Sequence, residues 1–237
     1  MDKIKITTRF NPTTNGHLHL GHLYILLVNE YMAHSTEGSI FVRLEDTQPE
    51  WISTCGWRQK VFGDSIVETI HALNIPVDDV IFQSDPDLQY TVREFAESHN
   101  LKVRMDYPPH KQALNPAGHT ELYSYTPGFT LQKVIMDYLY GVNMIIRGQD
   151  LCTEYSLYEY YCDILGINHP RHVYLPRLRW LNGDVSKTNG GFKVNDFIVN
   201  GRWTPDHLIW KLKEACLKDP KENWHINNIK EYPIWTS

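Results

Sequence analysis

The sequence predicts an α/β fold in which a parallel sheet carries helices on both faces. β-rich segments alternate with amphipathic helical segments along the chain, and this order is typical of parallel strands joined by helical crossovers. The chain has 237 residues, of which 42% are hydrophobic and 22% are charged, so it can bury a substantial core. The same composition excludes disordered, collagen-like and coiled-coil proteins.

The first half of the chain gives the clearest alternation. Its first strand is followed by turn-forming residues 11–16, and the next segment places Leu23 and Leu27 on one helical face. The predicted strands are 3–10, 39–44, 80–83 and 102–105, and the predicted helices are 20–34, 57–73 and 88–100.

The second half follows a stretch rich in proline and glycine, residues 106–128, which predicts a loop-rich insertion. Thr204 and Pro205 indicate the start of the last helix, because threonine caps helices and proline suits their first turn. The predicted helices are 131–140, 155–165 and 205–217, the strands are 142–147 and 172–175, and 182–191 is predicted to be a mobile loop. We therefore divide the chain into a first half (1–105), the insertion (106–128), a second half (129–191) and a small C-terminal helical extension (192–237).

Charge and cysteine usage limit the classes of partner. Lysine and arginine number 23 against 28 acidic residues, and this balance of −5 excludes a protein coated with positive charge, so any nucleic-acid contact would be local. The 4 cysteines have no zinc-ligand spacing, which predicts reduced thiols and no zinc. The longest apolar run, 23–28, is too short to cross a membrane, and the N-terminus leads into a strand pattern rather than a secretory leader. We predict a cytoplasmic protein without membrane contacts.

Polar residues follow the predicted strands at the ends where such sheets bind ligands. Glu45 and Asp46 come directly after the second strand, although a turn with capping acids is an alternative interpretation. Arg147 ends an apolar strand, where a guanidinium needs a partner. Lys187, on a glycine-bearing loop, is available to contact a phosphate.

Two histidines mark the loop after the first strand. His19 and His22 are three residues apart at a helix start, so their side chains share one face. Gly21 between them leaves room for a flat ring or a phosphate to approach the backbone. Imidazoles beside a helix N-terminus suit the charge that develops on a phosphate during displacement. A surface histidine cluster is the alternative in a chain with 12 histidines.

Together and in this order, these segments resemble the catalytic domain of class I glutamyl- and glutaminyl-tRNA synthetases. Residues 9–22 are similar to that family's Arg-Phe-x-Pro…Gly-x-Leu-His-x-Gly-His segment, and 42–47 to its strand ending in Ile-Glu-Asp-Thr. Residues 146–151 are similar to Ile-Arg-Gly-Glu-Asp-Leu, and 185–187 to the core of Lys-Leu-Ser-Lys. The resemblance covers roughly residues 4–100 and 128–190 and implies a Rossmann-like sheet of the HUP type.

The resemblance implies an ATP site with Mg²⁺ accompanying the phosphates. His19, Gly21 and His22 would hold the adenine and stabilise the α-phosphate, and Lys187 would neutralise charge as pyrophosphate leaves. His19, His22 and Lys187 are the implied catalytic residues. The implied ATP-binding residues are Thr13, His19, Gly21, His22, Ser186 and Lys187.

The resemblance also implies an amino-acid site that favours glutamate. Glu45 would pair with the ammonium group, and Arg9 and Arg147 would bind the side-chain carboxylate. Two guanidiniums favour a dicarboxylic acid over the neutral amide. The implied amino-acid-binding residues are Arg9, Phe10, Asn11, Pro12, Thr13, Glu45, Phe129 and Arg147.

Several positions depart from the family pattern. Phe129 stands where the family usually has tyrosine, Lys133 where it has asparagine, and Asp184 where a lysine opens the second motif. The insertion is shorter than the family's acceptor-stem domain, and only one or two helices are predicted after residue 191, so we expect no anticodon-binding domain.

The leading hypothesis is ATP-dependent activation of glutamate, or a close analogue, to an aminoacyl-adenylate. The acceptor could be a tRNA, a modified nucleoside or a non-RNA molecule. A local basic stretch at Arg171, His172, Arg177 and Arg179 could contact nucleic acid, although a solvated charged face is the alternative. A nucleotidyltransferase acting on another small carboxylate and a catalytically inactive binding paralogue are the other hypotheses.

Overall fold

A parallel sheet at the centre of the fold confirms the predicted α/β class. In the computed structural model, the described residues are 4–47, 56–101, 112–114, 120–122, 129–180, 183–185, 193–198 and 203–236. Strands β1 (Thr7–Phe10), β2 (Ser39–Leu44) and β3 (Asp79–Phe82) are hydrogen-bonded in the order β1-β2-β3, and all pairs are parallel. Phe10 lies opposite Val42, so the carboxyl ends of the first two strands lie at the same edge.

The second half of the chain places its own parallel pair beside β1. Strands β6 (Met144–Gly148) and β7 (Arg171–Leu175) are parallel, and β6 contacts β1. Asn143 N–H donates to Thr7 O at 3.0 Å just before β6 begins. The strands thus run outward from β1 in one direction and from β6 in the other, which is the arrangement that opens a ligand crevice at the carboxyl ends.

The remaining elements have the following bounds. The helices are α1 (Leu20–His34), α2 (Gly56–Ala72), α3 (Pro86–Ser98), α4 (Phe129–Leu139), α5 (Tyr155–Leu165), α6 (Val194–Ile198) and α7 (Pro205–Cys216). Two 3₁₀ helices cover Gln149–Glu154 and Ile226–Asn228. The short strands are β4 (Gln112–Leu114), β5 (Thr120–Leu122), β8 (Arg179–Trp180), β9 (Gly183–Asp184) and β10 (Ile234–Trp235). The expected strand at 102–105 and most of the loop-rich insertion lie outside the described residues.

Helix boundaries follow the capping residues that the sequence carries. Thr204 accepts a hydrogen bond from His207 N–H at 3.2 Å, with Pro205 at the start of α7, as predicted. Asp85 caps α3 in the same way ahead of Pro86. At the end of α5, Gly166 adopts φ +62°, a left-handed conformation that suits glycine.

Helix α1 joins the two halves of the sheet. Its apolar residues, including Leu20, Leu23 and Leu26, are fully buried in the larger core cluster. The buried Asn29 of the same helix donates to Ile146 O of β6 at 3.2 Å, and its carbonyl accepts from Thr8 of β1. This helix therefore fixes β1 against β6 and holds the crevice between them at a set width.

The C-terminal region contains strands as well as the predicted helices. Strand β8 pairs in parallel with β10 and in antiparallel with β9. Trp235 of β10 is fully buried, and its ring lies 5.7 Å from that of Trp203 and 5.9 Å from that of Phe197. Two-residue strands leave too short a pattern for sequence periodicity to reveal, so this sheet was not predicted. None of the described helices is long and apolar enough to span a membrane.

Candidate active site

The main candidate site is a pocket of about 680 Å³ at the carboxyl ends of β1 and β6. It lies at the switch point of the strand order, where the fold predicts a ligand. Ten of the predicted catalytic, ATP-binding and amino-acid-binding residues line it, and their roles stay predictions. They are Arg9, Phe10, Asn11, Pro12, Thr13, His19, Gly21, His22, Arg147 of β6 and, across the pocket, Glu45.

The histidine pair forms one wall of the pocket. The His19 and His22 rings are stacked, with centroids 3.7 Å apart and planes inclined by 23°. His19 Nδ1 accepts a hydrogen bond from Gly21 N–H at 3.1 Å and caps α1. A neutral ring with this acceptor carries its proton on Nε2, so His19 Nε2 can donate.

Gly21 leaves a space that another residue would fill. A Cβ at this position would lie 3.0 Å from His19 Cε1 and 3.6 Å from Val185 O. A side chain here would press on the imidazole that caps the helix. The glycine thus lets His19 keep its place and keeps the backbone open toward the pocket.

Arg9 belongs to a buried ionic network rather than projecting alone. Arg9 Nε lies 3.2 Å from Asp137 Oδ1, and Arg43 Nη1 lies 2.8 Å from the same oxygen. Tyr158 Oη donates to Asp137 Oδ2 at 2.9 Å. Burial alone opposes ionisation of Asp137, but Arg43 and Arg9 hold the pKa of that carboxyl below its ordinary value. Asp137 is therefore ionised, and it orients two arginines behind the pocket.

Glu45 is held in place by the segment that follows β1 and by helix α4. Its backbone N–H donates to Pro12 O at 3.0 Å, and its carbonyl accepts from Thr14 N–H at 3.3 Å. Glu45 is 4% exposed. Its carboxylate accepts a hydrogen bond from Asn11 Nδ2, and its Oε1 lies 3.0 Å from Lys133 Nζ. Arg43 Nε fixes Asn11 in turn by donating to its Oδ1 at 2.9 Å.

Arg147, expected to need a partner at the end of an apolar strand, pairs with Glu154. Its Nη1 lies 2.9 Å from Glu154 Oε2, and Nη2 donates to Tyr174 Oη at 3.4 Å. Lys133 Nζ also approaches Glu154 Oε2, at 3.8 Å. The side chains of Glu45, Lys133, Glu154 and Arg147 therefore form a row of alternating charge along one side of the pocket.

His172 lies near Arg147 of this row, among aromatic side chains. Its ring meets those of Tyr155 and Tyr158 edge-on, with centroids 4.8 and 4.9 Å away. Burial, together with the nearby Arg147 charge, lowers the pKa of His172 to about 4. The ring is thus neutral at pH 7 and adds no positive charge to the predicted basic stretch.

The other members of that stretch are dispersed. Arg171 and Arg179 are exposed, whereas Arg177 lines the pocket 4.0 Å from Asp150 Oδ1. The proposed Ser186 and Lys187 lie outside the described residues. Phe129 begins α4, and its side chain is also outside the described part.

Three residues of this network were not assigned to it from the sequence. Asp137 lies on α4 next to the buried Met136, and Glu154 and Tyr158 lie after β6. A usable signal was present in Arg43, which stands inside an apolar strand and requires a buried acid as partner. No local pattern shows that this acid is Asp137, which is 94 residues away.

Comparison with known proteins gives a consistent picture of the fold. Residues 5–98 match the family described as tRNA synthetases class I (E and Q), catalytic domain. The cytoplasmic glutamate–tRNA ligase of Saccharomyces cerevisiae is 35% identical over 81 residues, which cover 34% of this chain and 11% of that protein. Glutamate–tRNA ligase 2 of Ehrlichia ruminantium is 24% identical over 265 residues, covering 86% of this chain and 55% of that protein.

Solved structures extend the likeness over the whole fold. A glutamate tRNA ligase from Elizabethkingia meningosepticum, in complex with its amino acid, superposes with a TM-score of 0.68 at 13% identity and covers 98% of this chain and 67% of that one. The methionyl-tRNA synthetase of Mycobacterium tuberculosis, bound by methionyl-adenylate, gives 0.62 at 11% identity, covering 90% of this chain and 65% of that one. The chain thus spans from about a tenth to about half the length of the two relatives compared by sequence.

Proposed function

Because residues 5–98 match the class I glutamyl and glutaminyl catalytic-domain family and the fold superposes on that of a glutamate tRNA ligase, we propose that the chain uses ATP to activate a small dicarboxylic acid. The acid would be glutamate or a close analogue, and the product an acyl-adenylate. The observation that carries the proposal is the convergence of the histidine pair with Arg147 and Lys133 on one pocket. A nucleotide and an anionic acid can therefore meet there.

The chemistry asks for positioning and charge stabilisation more than for a base. The carboxylate is already anionic, so it attacks the α-phosphate without losing a proton, and pyrophosphate leaves. His19 Nε2 is a donor suited to the α-phosphate, because Nδ1 is committed to Gly21 N–H. The absence of a side chain at Gly21 lets the His19 ring keep this position, since a Cβ there would lie 3.0 Å from His19 Cε1. Mg²⁺ bound to the phosphates would neutralise part of their charge.

The acid would be held on the opposite side of the pocket. Arg147 and Lys133 supply the positive charge there, and Asp137 keeps Arg9 and Arg43 in place behind them. Asp137 would act as a positioning residue, since it pairs with Arg9 of the lining and with Arg43 but does not line the pocket itself. Lys187 would neutralise the departing pyrophosphate, with Ser186 supporting its loop.

The acceptor of the activated acid would be a tRNA, a modified nucleoside or a non-RNA molecule. The relatives are named as glutamate–tRNA ligases, which supports tRNA, whereas the net charge of −5 provides no general attraction to nucleic acid. The yeast relative is named as a cytoplasmic enzyme, which supports a cytoplasmic location for this chain.

Pyrophosphate exchange into ATP tests the proposal directly. The full chain is incubated with ATP, Mg²⁺ and labelled pyrophosphate, with each amino acid in turn and with the dicarboxylate glutarate, and with or without total tRNA. We expect exchange that depends on an acidic compound. Exchange with none of them would contradict the proposal and favour the inactive binding paralogue.

A further inference from the structure

Lys133 Nζ occupies the position beside the Glu45 carboxylate that the ammonium group of a bound amino acid would need. Its Nζ lies 3.0 Å from Glu45 Oε1, and both side chains are almost fully buried, with 9% and 5% exposure. The remaining pocket carboxylates in the described part of the chain also have cations: Glu154 pairs with Arg147, and Asp150 with Arg177. The protein therefore supplies a cation to each carboxylate in this lining.

The charge of the lining favours an anion. Its described residues include four cationic side chains against three carboxylates, with the histidines counted as neutral. Arg147 Nε is buried and has no hydrogen-bond partner among the described residues, so a donor remains for an incoming oxygen. A second ammonium group at Glu45 would lie close to Lys133 Nζ in a partly desolvated pocket, where like charges repel strongly.

We infer that Lys133 replaces the ammonium group of an amino-acid substrate, so that the pocket selects an acidic carboxylic acid without a positively charged nitrogen beside its carboxylate. This inference rests on the proposed function for the identity of the pocket, and it narrows the substrate class from glutamate and its analogues to those analogues that lack the ammonium group. Lys133 is then a specificity-determining residue, because its charge disfavours a substrate that carries an ammonium group beside Glu45. Lys133 Nζ also lies 3.8 Å from Glu154 Oε2, so this lysine is close to two of the three carboxylates in the lining.

Calorimetric titration of the full chain with glutarate and with L-glutamate tests the inference. The two compounds have the same carbon skeleton length and differ in the ammonium group. We expect the wild-type chain to bind glutarate at least about tenfold more tightly than L-glutamate. Lys133→Met keeps an unbranched side chain but removes the charge, so Glu45 can accept an ammonium, and the preference should reverse.

Two further variants make the result decisive. Lys211→Met removes a half-buried lysine that pairs with Glu214 of the same helix and does not line the pocket, so it should leave the preference unchanged. Lys133→Met leaves a buried carboxylate without its cation, which could unfold the chain. The double variant K133M/E45Q removes both charges and should bind the two compounds about equally. Circular dichroism checks that each variant is folded.

Binding and activation separate this inference from the proposed function. Tighter wild-type binding of L-glutamate than of glutarate, or weaker L-glutamate binding in a folded Lys133→Met, would overturn the inference. An unchanged preference in the double variant would overturn it too. If the binding preference is as expected but neither compound supports pyrophosphate exchange, the proposed function fails while Lys133 keeps its role in selection.

Discussion

Replacing Asp137 by asparagine should destabilise the fold strongly, because one carboxylate compensates two buried guanidiniums. Asp137 is 1% exposed, and Arg9 and Arg43 are 4% and 2% exposed. Breaking a buried ion pair from one side costs about 3–5 kcal/mol, since it leaves an uncompensated charge. An asparagine oxygen still accepts one hydrogen bond, so we expect the lower end, about 3 kcal/mol. For a chain of this length that lowers the melting temperature by about 6–12 °C.

Urea unfolding of both proteins at pH 7, followed by circular dichroism, measures this difference. Asp163→Asn is the matched control, because Asp163 pairs with His169 at the surface with 73% of its side chain exposed, and it should cost less than about 1 kcal/mol. The folded pKa of Asp137 is lowered from 3.8, so its contribution is present above that value and is lost as the pH falls through the folded pKa. If Asp137→Asn lowers the free energy of unfolding at pH 7 by no more than Asp163→Asn does, the stabilising role of the Asp137 network is refuted.

Four more substitutions test the pocket and its surroundings. His22→Ala and Lys187→Ala should each lower pyrophosphate exchange by about 100-fold with little change in melting temperature, because in the proposed function both groups would stabilise the charge of the phosphates; rates equal to wild type would remove that residue from the mechanism. Arg147→Gln should weaken binding of glutamate more than of glutamine in calorimetry, and equal losses would show that this arginine does not read the side-chain carboxylate. His172→Phe should reduce the pH dependence of unfolding. In the wild type, the folded pKa of about 4 lies below the ordinary 6.5, so stability falls as the pH drops between these values. The variant measured at pH 7 and pH 4.5 should lose less stability than wild type, and an equal loss would contradict the buried neutral ring.

The parts of the fold that local chemistry determines were predicted from the sequence. Helix α1 was expected over 20–34 and α5 over 155–165, and both have these bounds. Their apolar spacing and turn residues depend on neighbours only a few positions away. The place of the pocket also followed, because the carboxyl ends of parallel strands meet at one edge whatever the details of packing.

The charge pairing inside the pocket could not be predicted from the sequence. The resemblance assigned Glu45 to an ammonium and Arg9 to a carboxylate, but in the structure they pair with Lys133 and Asp137. These partners come from α4, which lies far along the chain, and only the packing of that helix against the sheet determines which charges meet. Motif matching identifies residue types, whereas their ionic partners depend on tertiary distances.

Strand β10 connects the cluster of Trp203, Trp235 and Phe197 to the wall of the pocket beside Gly21. Ile234 and Trp235 share a sheet with β8 and β9, and Val185 directly after β9 lines the pocket and approaches Gly21. Trp235 itself is not part of that lining. Damage to the tryptophan packing would therefore shift the wall of the pocket beside Gly21 from a distance, and a screen for defective variants would find residues near 235 as well as the histidines.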